Sequence, residues 1–308
     1  MNTEDFCIAN YSDLKIFAKT DHVADICRML DMQLVELETK LPLHVYIGAH
    51  QWIFDALPKS SINIGIQTEQ YYDQNGKKLW GYRPKFFSYL LFNKFDYLID
   101  YSSFNDLAYG RIKDSKRIFF GPYLFPDQAK SYLTSSNNLL LFVGDMSSRR
   151  REVLSSLQPR QKKVNFIKDK FYEALIPELN RCEGIINIHH QNGVYTEWPR
   201  ILMAYVSGKV IFSESLGHPL VSGTHYLAIE EIDTTTEETK KTVYLNFKQE
   251  IASKYEFVTF LKLTRFQKEI GIPNDIVYML CVFFWALRML RKRLCLGLIE
   301  AVKIKKKI

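Results

Sequence analysis

Apolar positions along this chain fall into short β-branched or aromatic runs separated by longer stretches of helical spacing. In the first half the strand candidates are Leu14 to Ala18, His44 to Ile47, Ile62 to Ile66 and Tyr97 to Asp100. Helix candidates lie between them at His22 to Leu37, Trp52 to Leu57 and Lys85 to Asn93. Strands alternating with helices predict a parallel sheet with crossover helices. Phe119-Phe120 begins a last element, and Gly121 to Asn138 reads as a crossing between domains because of its Gly-Pro and Ser-Asn content. The alternation then restarts: Leu139 to Val143 as a buried strand, RRREVLSSL as a helix, Val164 to Ile167 as a strand, and Phe171 to Arg181 as a helix. Asp233 to Lys241 (DTTTEETKK) is polar throughout and reads as a surface loop. The fold class is therefore α/β, with two Rossmann-like domains facing across a cleft, residues 1–125 and 126–272, followed by an amphipathic C-terminal helix over 273–308.

The stretch from Gly184 to Ser215 is the most informative. Ile185, Ile186 and Ile188 form a buried strand ending in a polar loop, His189 to Thr196. A helix follows, with Pro199 in its first turn and Ile201, Leu202, Tyr205 and Val206 on one apolar face. Gly208 stops it before a strand from Lys209 to Ser213. In open α/β sheets ligands sit beyond the carboxyl ends of strands, which places His189, His190, Glu197 and Arg200 at a site mouth.

Charge changes the picture at one end only. From Arg288 to Ile308 there are eight Lys or Arg and one acid, so residues 1–287 carry 33 charges of each sign and are neutral. A neutral body with a basic tail argues against nucleic acid as a partner and for a local docking segment. Ile276 to Leu287 (IVYMLCVFFWAL) is uncharged but, at 12 residues, too short to span a membrane. With the bases that follow, it reads either as an interfacial helix on an anionic surface or as a last helix packed across both domains. Five scattered cysteines, none spaced as CxxC, argue against a disulfide framework and a zinc site and suit a reducing cytosol. The first residues lack a secretory signal pattern.

Three constellations carry candidate chemistry. The first is the strand-to-helix turn Val143 to Glu152. Three arginines at a helix N-terminus are electrostatically unfavourable unless an anion lies nearby. A phosphate would satisfy them, with Gly144 admitting it to the backbone, Ser147 and Ser148 offering donors, and Arg149 or Arg150 clamping a diphosphate. The plain alternative is a solvated basic helix start softened by Glu152. The second is His189, His190, Glu197 and Arg200. Adjacent histidines on an extended segment point in opposite directions, so His189 and His190 cannot both face one site, and metal binding is not expected. Glu197 is either a helix-dipole partner or an acceptor for ribose or sugar hydroxyls. The third follows Ile62 to Ile66, where Glu69 is a candidate general base or an exposed loop acid. Tyr71, Tyr72, Trp80 and Tyr82 come next, with rings suited to sugar stacking or to packing. No GxSxG, GxxxxGK[ST], HExxH or GxGxxG motif is present.

FVGDMSSRRREVL resembles the opening of the donor-binding domain of GT-B fold glycosyltransferases, a strand ending in Val-Gly followed by a polar loop and an arginine-bearing helix. NIHHQNGVYTEWPRILMAYVSGKVIFSES is similar to the second donor segment of that family, with its Glu-x-x-Arg helix, glycine and strand ending in Ser-Glu. IGIQTEQ resembles the acceptor-domain strand of some bacterial members. The resemblance implies sugar transfer from a nucleotide-diphosphate donor held by 126–272 to an acceptor held by 1–125, with no cofactor and no required metal. It gives Gly144 and Arg149 or Arg150 to the diphosphate and Glu197 to the donor. Many members carry a second glutamate five residues before the glycine, where this chain has Met203. The basic C-terminal segment fits bacterial enzymes of polysaccharide or lipopolysaccharide assembly. That implies a glycan or lipid-linked acceptor, an anionic membrane surface met through 276–308, and a cytoplasmic, peripheral place on the inner face of the membrane. A binding protein that keeps the fold without donor chemistry is the alternative.

Overall fold

The computed structural model describes residues 6–10, 13–20, 41–79, 83–126, 131–135, 137–157, 163–170, 172–264 and 266–267. The expected helix at His22 to Leu37, the rings of Trp80 and Tyr82, and the segment 273–308 lie outside these residues. Strands β1 (Cys7–Asn10), β2 (Leu14–Phe17), β3 (Leu43–Ile47), β4 (Ile62–Gln67), β5 (Tyr97–Asp100) and β6 (Ile118–Phe120) form the first sheet in sequence order. β1 is antiparallel to β2, and the other neighbours are parallel. β3, β4 and β5 are buried at every position. Burial on both faces suits largely apolar strands; β4 (INIGIQ) instead alternates, and its Asn63 and Gln67 are buried polar residues.

Right-handed crossovers between strands laid down in order all fall on one face of a sheet. Helices α1 (Pro84–Lys94) and α2 (Asp106–Tyr109) follow β4 and β5. Their Leu90, Leu91 and Tyr109, with Trp52, share one core with Phe17, Tyr46 and Leu98 of the sheet. The expected helix at Trp52 to Leu57 is instead a single 3-10 turn, Ala49–Trp52. The backbone bonds here run from Gln51 N–H to the Gly48 carbonyl and from Asp55 N–H to that of Trp52, the 3-10 spacing, and the buried Trp52 indole N–H donates to the Ile47 carbonyl at 3.1 Å.

The second sheet comprises β7 (Leu139–Val143), β8 (Lys163–Ile167), β9 (Gly184–Asn187), β10 (Val210–Ser213) and β11 (Leu227–Ala228), all parallel in the order β11-β10-β9-β7-β8. Its helices are α3 (Ser148–Leu157), α4 (Ile176–Arg181), α5 (Trp198–Val206) and α6 (Glu237–Phe247). Both units are Rossmann-like in their parallel strands and intervening helices. Only the second reverses: the chain moves from β7 outward to β8, then crosses to β9 on the other side of β7. α5 stops at Gly208, whose φ of 69° is left-handed and whose added Cβ would lie 2.4 Å from the Ser131 carbonyl oxygen.

Two sequence expectations are corrected here. The helix expected over Phe171 to Arg181 is a 3-10 turn, Tyr172–Leu175, followed by α4, with Pro177 in the first turn of α4 where a missing N–H is tolerated. The polar run Asp233 to Lys241 is not all loop. Thr236 caps α6 by accepting from the Thr239 N–H at 3.2 Å, and Glu237 and Glu238 suit the first turn. Lys240, read as surface, is buried and pairs with Glu183 at 3.4 Å and Glu237 at 2.6 Å.

The chain passes from the first sheet to the second between Phe120 and Leu139 and returns later. Leu124 and Phe125 N–H both donate to the Tyr255 carbonyl, and Phe257 N–H donates to that of Phe125. Helix α7 (Phe257–Leu263) then sets Phe260 against Phe119 of β6, ring centroids 5.1 Å apart. Among the described residues no helix is long and apolar enough to cross a membrane.

Candidate functional site

The reversal in strand order makes β7 and β9 neighbours whose crossovers leave in opposite directions, and the crevice between them opens at their carboxyl ends. Into it come Val143 to Asp145 from β7, Ile188 to His190 from β9, and Glu214 and Ser215 from β10. The starts of α3 and α5 point to the same place. Ser147 is the cap of α3, its Oγ accepting from the Arg150 N–H at 3.2 Å, while Ser148 is exposed. Gly144 has φ 135°, and a Cβ there would stand 3.0 Å from Arg200 Nη2. The turn needs glycine because a guanidinium fills the space beside it.

All three candidate arginines converge, and each is held by groups of this chain. Arg150 is 4% exposed. It donates to the Ile188 carbonyl at 2.9 Å, the Asp145 carbonyl at 2.7 Å and Glu197 Oε1 at 2.8 Å. Arg200, 8% exposed, donates to the Val143 carbonyl at 3.1 Å and reaches both Asn187 Oδ1 and Glu197 Oε2 through Nη1. Both guanidinium groups lie over Phe142, at 5.4 Å and 5.2 Å from its centroid, close enough for cation–π attraction. Arg149 sits nearer the mouth. It donates to Asn192 Oδ1 at 2.6 Å, the His189 carbonyl at 2.9 Å and Glu214 Oε2 at 2.8 Å, with Nη2 on Glu214 Oε1.

Glu214 also accepts from the His189 backbone N–H at 2.8 Å. Burial pushes its carboxyl upward, but the bonds from Arg149 and His189 outweigh this and hold it below the usual carboxylate range. The same hydrogen bonding from Glu214 raises Arg149. Burial lowers Arg200, which Glu197 partly offsets. The arginine-rich start of α3 thus has internal counter-charges, Glu197 for Arg150 and Glu214 for Arg149. Arg149 and Arg150 therefore have counter-charge within the chain, and Arg151 is exposed to solvent, so the charge of this turn does not by itself call for a phosphate.

The two histidines divide as adjacent extended residues must: His189 is 2% exposed and His190 is exposed. His189 Nε2 lies 2.9 Å from the Ser215 carbonyl. A carbonyl only accepts, so Nε2 carries the proton of the neutral ring and Nδ1 presents a lone pair. Nδ1 is buried and without a hydrogen-bond partner among the described residues. Burial lowers the pKa of His189 despite the Ser215 bond and the nearby carboxylates. Its ring lies against Tyr195, centroids 4.3 Å apart. The Tyr195 oxygen accepts from the His190 and Gln191 N–H groups at 2.5 Å and 3.2 Å.

The loops at the carboxyl ends of the two sheets meet. Gln70 Oε1 accepts from the Thr196 N–H at 3.2 Å, and Gln191 Nε2 donates to the Leu79 carbonyl at 2.6 Å. Glu69, next to that bridge, is half-buried, and its carbonyl accepts from Asn105 Nδ2 at 2.8 Å. Beneath it the sequence reading missed Asp100, fully buried at the end of β5. Burial pushes its carboxyl up to about 7 against the opposing bonds from the Ser102 N–H, Tyr109 hydroxyl and Asn105 amide. Glu214 was also missed as a site residue, visible only as the acid one step past a strand. No group of three His, Cys, Asp or Glu suited to a metal occurs among the described residues.

No family model matches this sequence, and no curated protein matches it. Solved structures are similar at the level of fold. One is S. aureus TarM, crystallised as a G117R mutant with Fondaparinux, alpha-GlcNAc-glycerol and UDP: 10% identity, 71% of this chain, 51% of that chain and a TM-score of 0.41. Another is Anabaena Alr3699/HepE in complex with UDP-glucose, at 12% identity, 71% of this chain, 76% of that chain and a TM-score of 0.42. A third is the Glycosylation Associate Protein (Gap123) complex from Streptococcus agalactiae, at 11% identity, 73% of this chain, 52% of that chain and a TM-score of 0.35. The match spans about half the length of TarM, 51% and 54% in its two structures. The two mainly parallel sheets agree with the two-domain α/β organisation expected from the sequence.

Proposed function

We propose that this chain is a glycosyltransferase that moves a sugar from a nucleotide-diphosphate donor to a glycan or lipid-linked acceptor in bacterial polysaccharide or lipopolysaccharide assembly. The observation that carries the reading is the convergence of Arg149, Arg150 and Arg200 at the strand reversal of the second sheet, opposite the carboxyl edge of the first. Gly144, Ser147, Ser148, Arg149 and Arg150 would receive the diphosphate, with Glu197 and Arg200 shaping the donor pocket. In the reaction the bond from the anomeric carbon to the diphosphate oxygen breaks and its electron pair leaves with the diphosphate. The arginines and helix-terminal N–H groups stabilise that charge. The acceptor oxygen bonds to the anomeric carbon and its proton passes to Glu69. The His189 Nδ1 lone pair would accept from a donor hydroxyl. The basic residues of 276–308 would dock the enzyme on the anionic inner face of the membrane.

One observation favours a second reading, a binding protein that keeps the fold without catalysis: Met203, where many GT-B members have glutamate, is buried in the core. Thermal shift against UDP, UDP-glucose, GDP, dTDP and CMP tests donor binding, UDP and UDP-glucose being the nucleotides named with TarM and HepE. Stabilisation by one of them, lost in Arg149→Ala/Arg150→Ala, supports the donor site. A folded protein that none of them stabilises refutes it. Release of nucleoside diphosphate from a bound donor separates the enzyme from the binding protein.

A further inference from the structure

Glu214 does more than neutralise Arg149. Both carboxylate oxygens are engaged, Oε1 by Arg149 Nη2 and Oε2 by Arg149 Nη1 and the His189 N–H, each of the last two at 2.8 Å. A two-pronged guanidinium joined by a backbone N–H at a strand's carboxyl end is the donor set that recognises a phosphoryl group. We propose that Glu214 is a built-in stand-in for the ligand's anion, and that a diphosphate binds by displacing its carboxylate from the Arg149 fork and the His189 N–H. This rests on the donor-site reading above and names which donors that site offers.

Two further features fit an exchangeable carboxylate. The backbone around Glu214 is pinned: the Ser215 carbonyl holds His189 Nε2 at 2.9 Å, Leu216 N–H donates to the Tyr226 hydroxyl at 3.1 Å, and Gly217 N–H donates to Thr196 Oγ1 at 3.1 Å. The Glu214 side chain retains 19% of its surface and Arg149 25%, against 5% for Arg150. A side-chain rotation alone therefore vacates the seat. Independently, His189 Nδ1 is buried and unpartnered on the same residue whose N–H holds the carboxylate. An acceptor beside an anion seat suits a ligand carrying both phosphate and hydroxyl groups. A diphosphate outcompetes the carboxylate because it brings more charge and more acceptor oxygens to the same fork.

The test is calorimetric titration of the full chain with UDP and with inorganic pyrophosphate, comparing wild type with Glu214→Gln. Binding of both ligands at least tenfold tighter in Glu214→Gln is expected, since the amide keeps the volume but releases the guanidinium. Wild-type binding that is unchanged or weakened in the variant overturns the inference and leaves the donor site standing. No binding of UDP or pyrophosphate by either protein overturns the donor-site reading and this inference with it. Should circular dichroism show Glu214→Gln unfolded, the unsubstituted protein labelled with carboxyl-13C glutamate serves instead. UDP should then move the Glu214 resonance toward that of a solvated carboxylate, and a resonance that stays put at saturation overturns the inference.

Discussion

Replacing Glu197 with alanine removes the one carboxylate shared by two buried guanidinium groups. Arg150 and Arg200 side chains are 5% and 9% exposed, and Glu197 is 20% exposed. Neither arginine can simply swing into water, because the Ile188, Asp145 and Val143 carbonyls still hold them. The variant is left with two like charges facing each other over Phe142. Removing one partner of a buried ion pair costs roughly 3–5 kcal/mol, and the partial exposure of Glu197 sets the expectation at the low end, about 3 kcal/mol. That is a large share of the roughly 5–15 kcal/mol that holds a domain together. Urea unfolding followed by circular dichroism should show the midpoint falling with little change in slope. Glu197→Gln, which keeps an acceptor oxygen, should lose less. Adding Arg200→Met to Glu197→Ala should recover part of the loss by removing one stranded charge. A loss below about 1 kcal/mol, the range of an exposed pair, would refute the claim that this network is an interior one.

Three further outcomes are expected. Asp100 sits at about 7 in the folded protein against roughly 3.9 in an unfolded chain. The native state thus binds the proton more tightly, so this contribution is full below about pH 4 and is lost as pH rises through 7, up to about 4 kcal/mol. Asp100→Asn should gain stability relative to wild type across that window, and a pH-independent difference would refute the assignment. Lys240→Met removes a buried ammonium that pairs with Glu183, whose side chain is 3% exposed, and should cost about 3 kcal/mol in urea unfolding, with partial recovery in Lys240→Met/Glu183→Gln. Gly208→Ala pays both for left-handed φ, about 1–2 kcal/mol, and for the contact at 2.4 Å with Ser131, whereas Gly223, with φ 75°, meets nothing within 4 Å. Gly208→Ala should therefore lower the Tm more than Gly223→Ala, and equal losses would argue against the close approach of Ser131 and Leu133 to Gly208.

The strands were legible either as continuous apolar runs, as in Leu139–Val143 (LLLFV), or as isoleucine at every second position, as in Ile62–Gln67 (INIGIQ). The start of α6 was not, because a capped first turn is made of the same Thr and Glu residues as a loop, and its buried Val243, Tyr244 and Phe247 lie beyond the stretch that was read. Arg149 and Arg150 could be named from the sequence because arginine density at one helix start is unusual, and Arg200 because it sits in the first turn of the helix after β9. Their partners could not. Glu214 lies 65 positions from Arg149 and Glu197 lies 47 from Arg150. Both pairings depend on β9 standing between β7 and β10, an order that local patterning does not encode.

The charge at the start of α3 shows where such reasoning holds and where it stops. Arginines at a helix N-terminus call for counter-charge; Arg151 is exposed to solvent, and Arg149 and Arg150 receive theirs from two carboxylates that differ in kind. Glu197 joins two guanidinium groups in the interior, both anchored to backbone carbonyls, so it belongs to the scaffold. Glu214 holds a single, quarter-exposed arginine at the mouth together with one backbone N–H. An entering anion meets Glu214 first and gains the same donors by displacing it, whereas displacing Glu197 would unsettle Arg150, Arg200 and the Gly144 turn together. Substitution at Glu197 should therefore register in unfolding, and substitution at Glu214 in anion binding. Finding both effects at one residue would mean that the two carboxylates act as a single network.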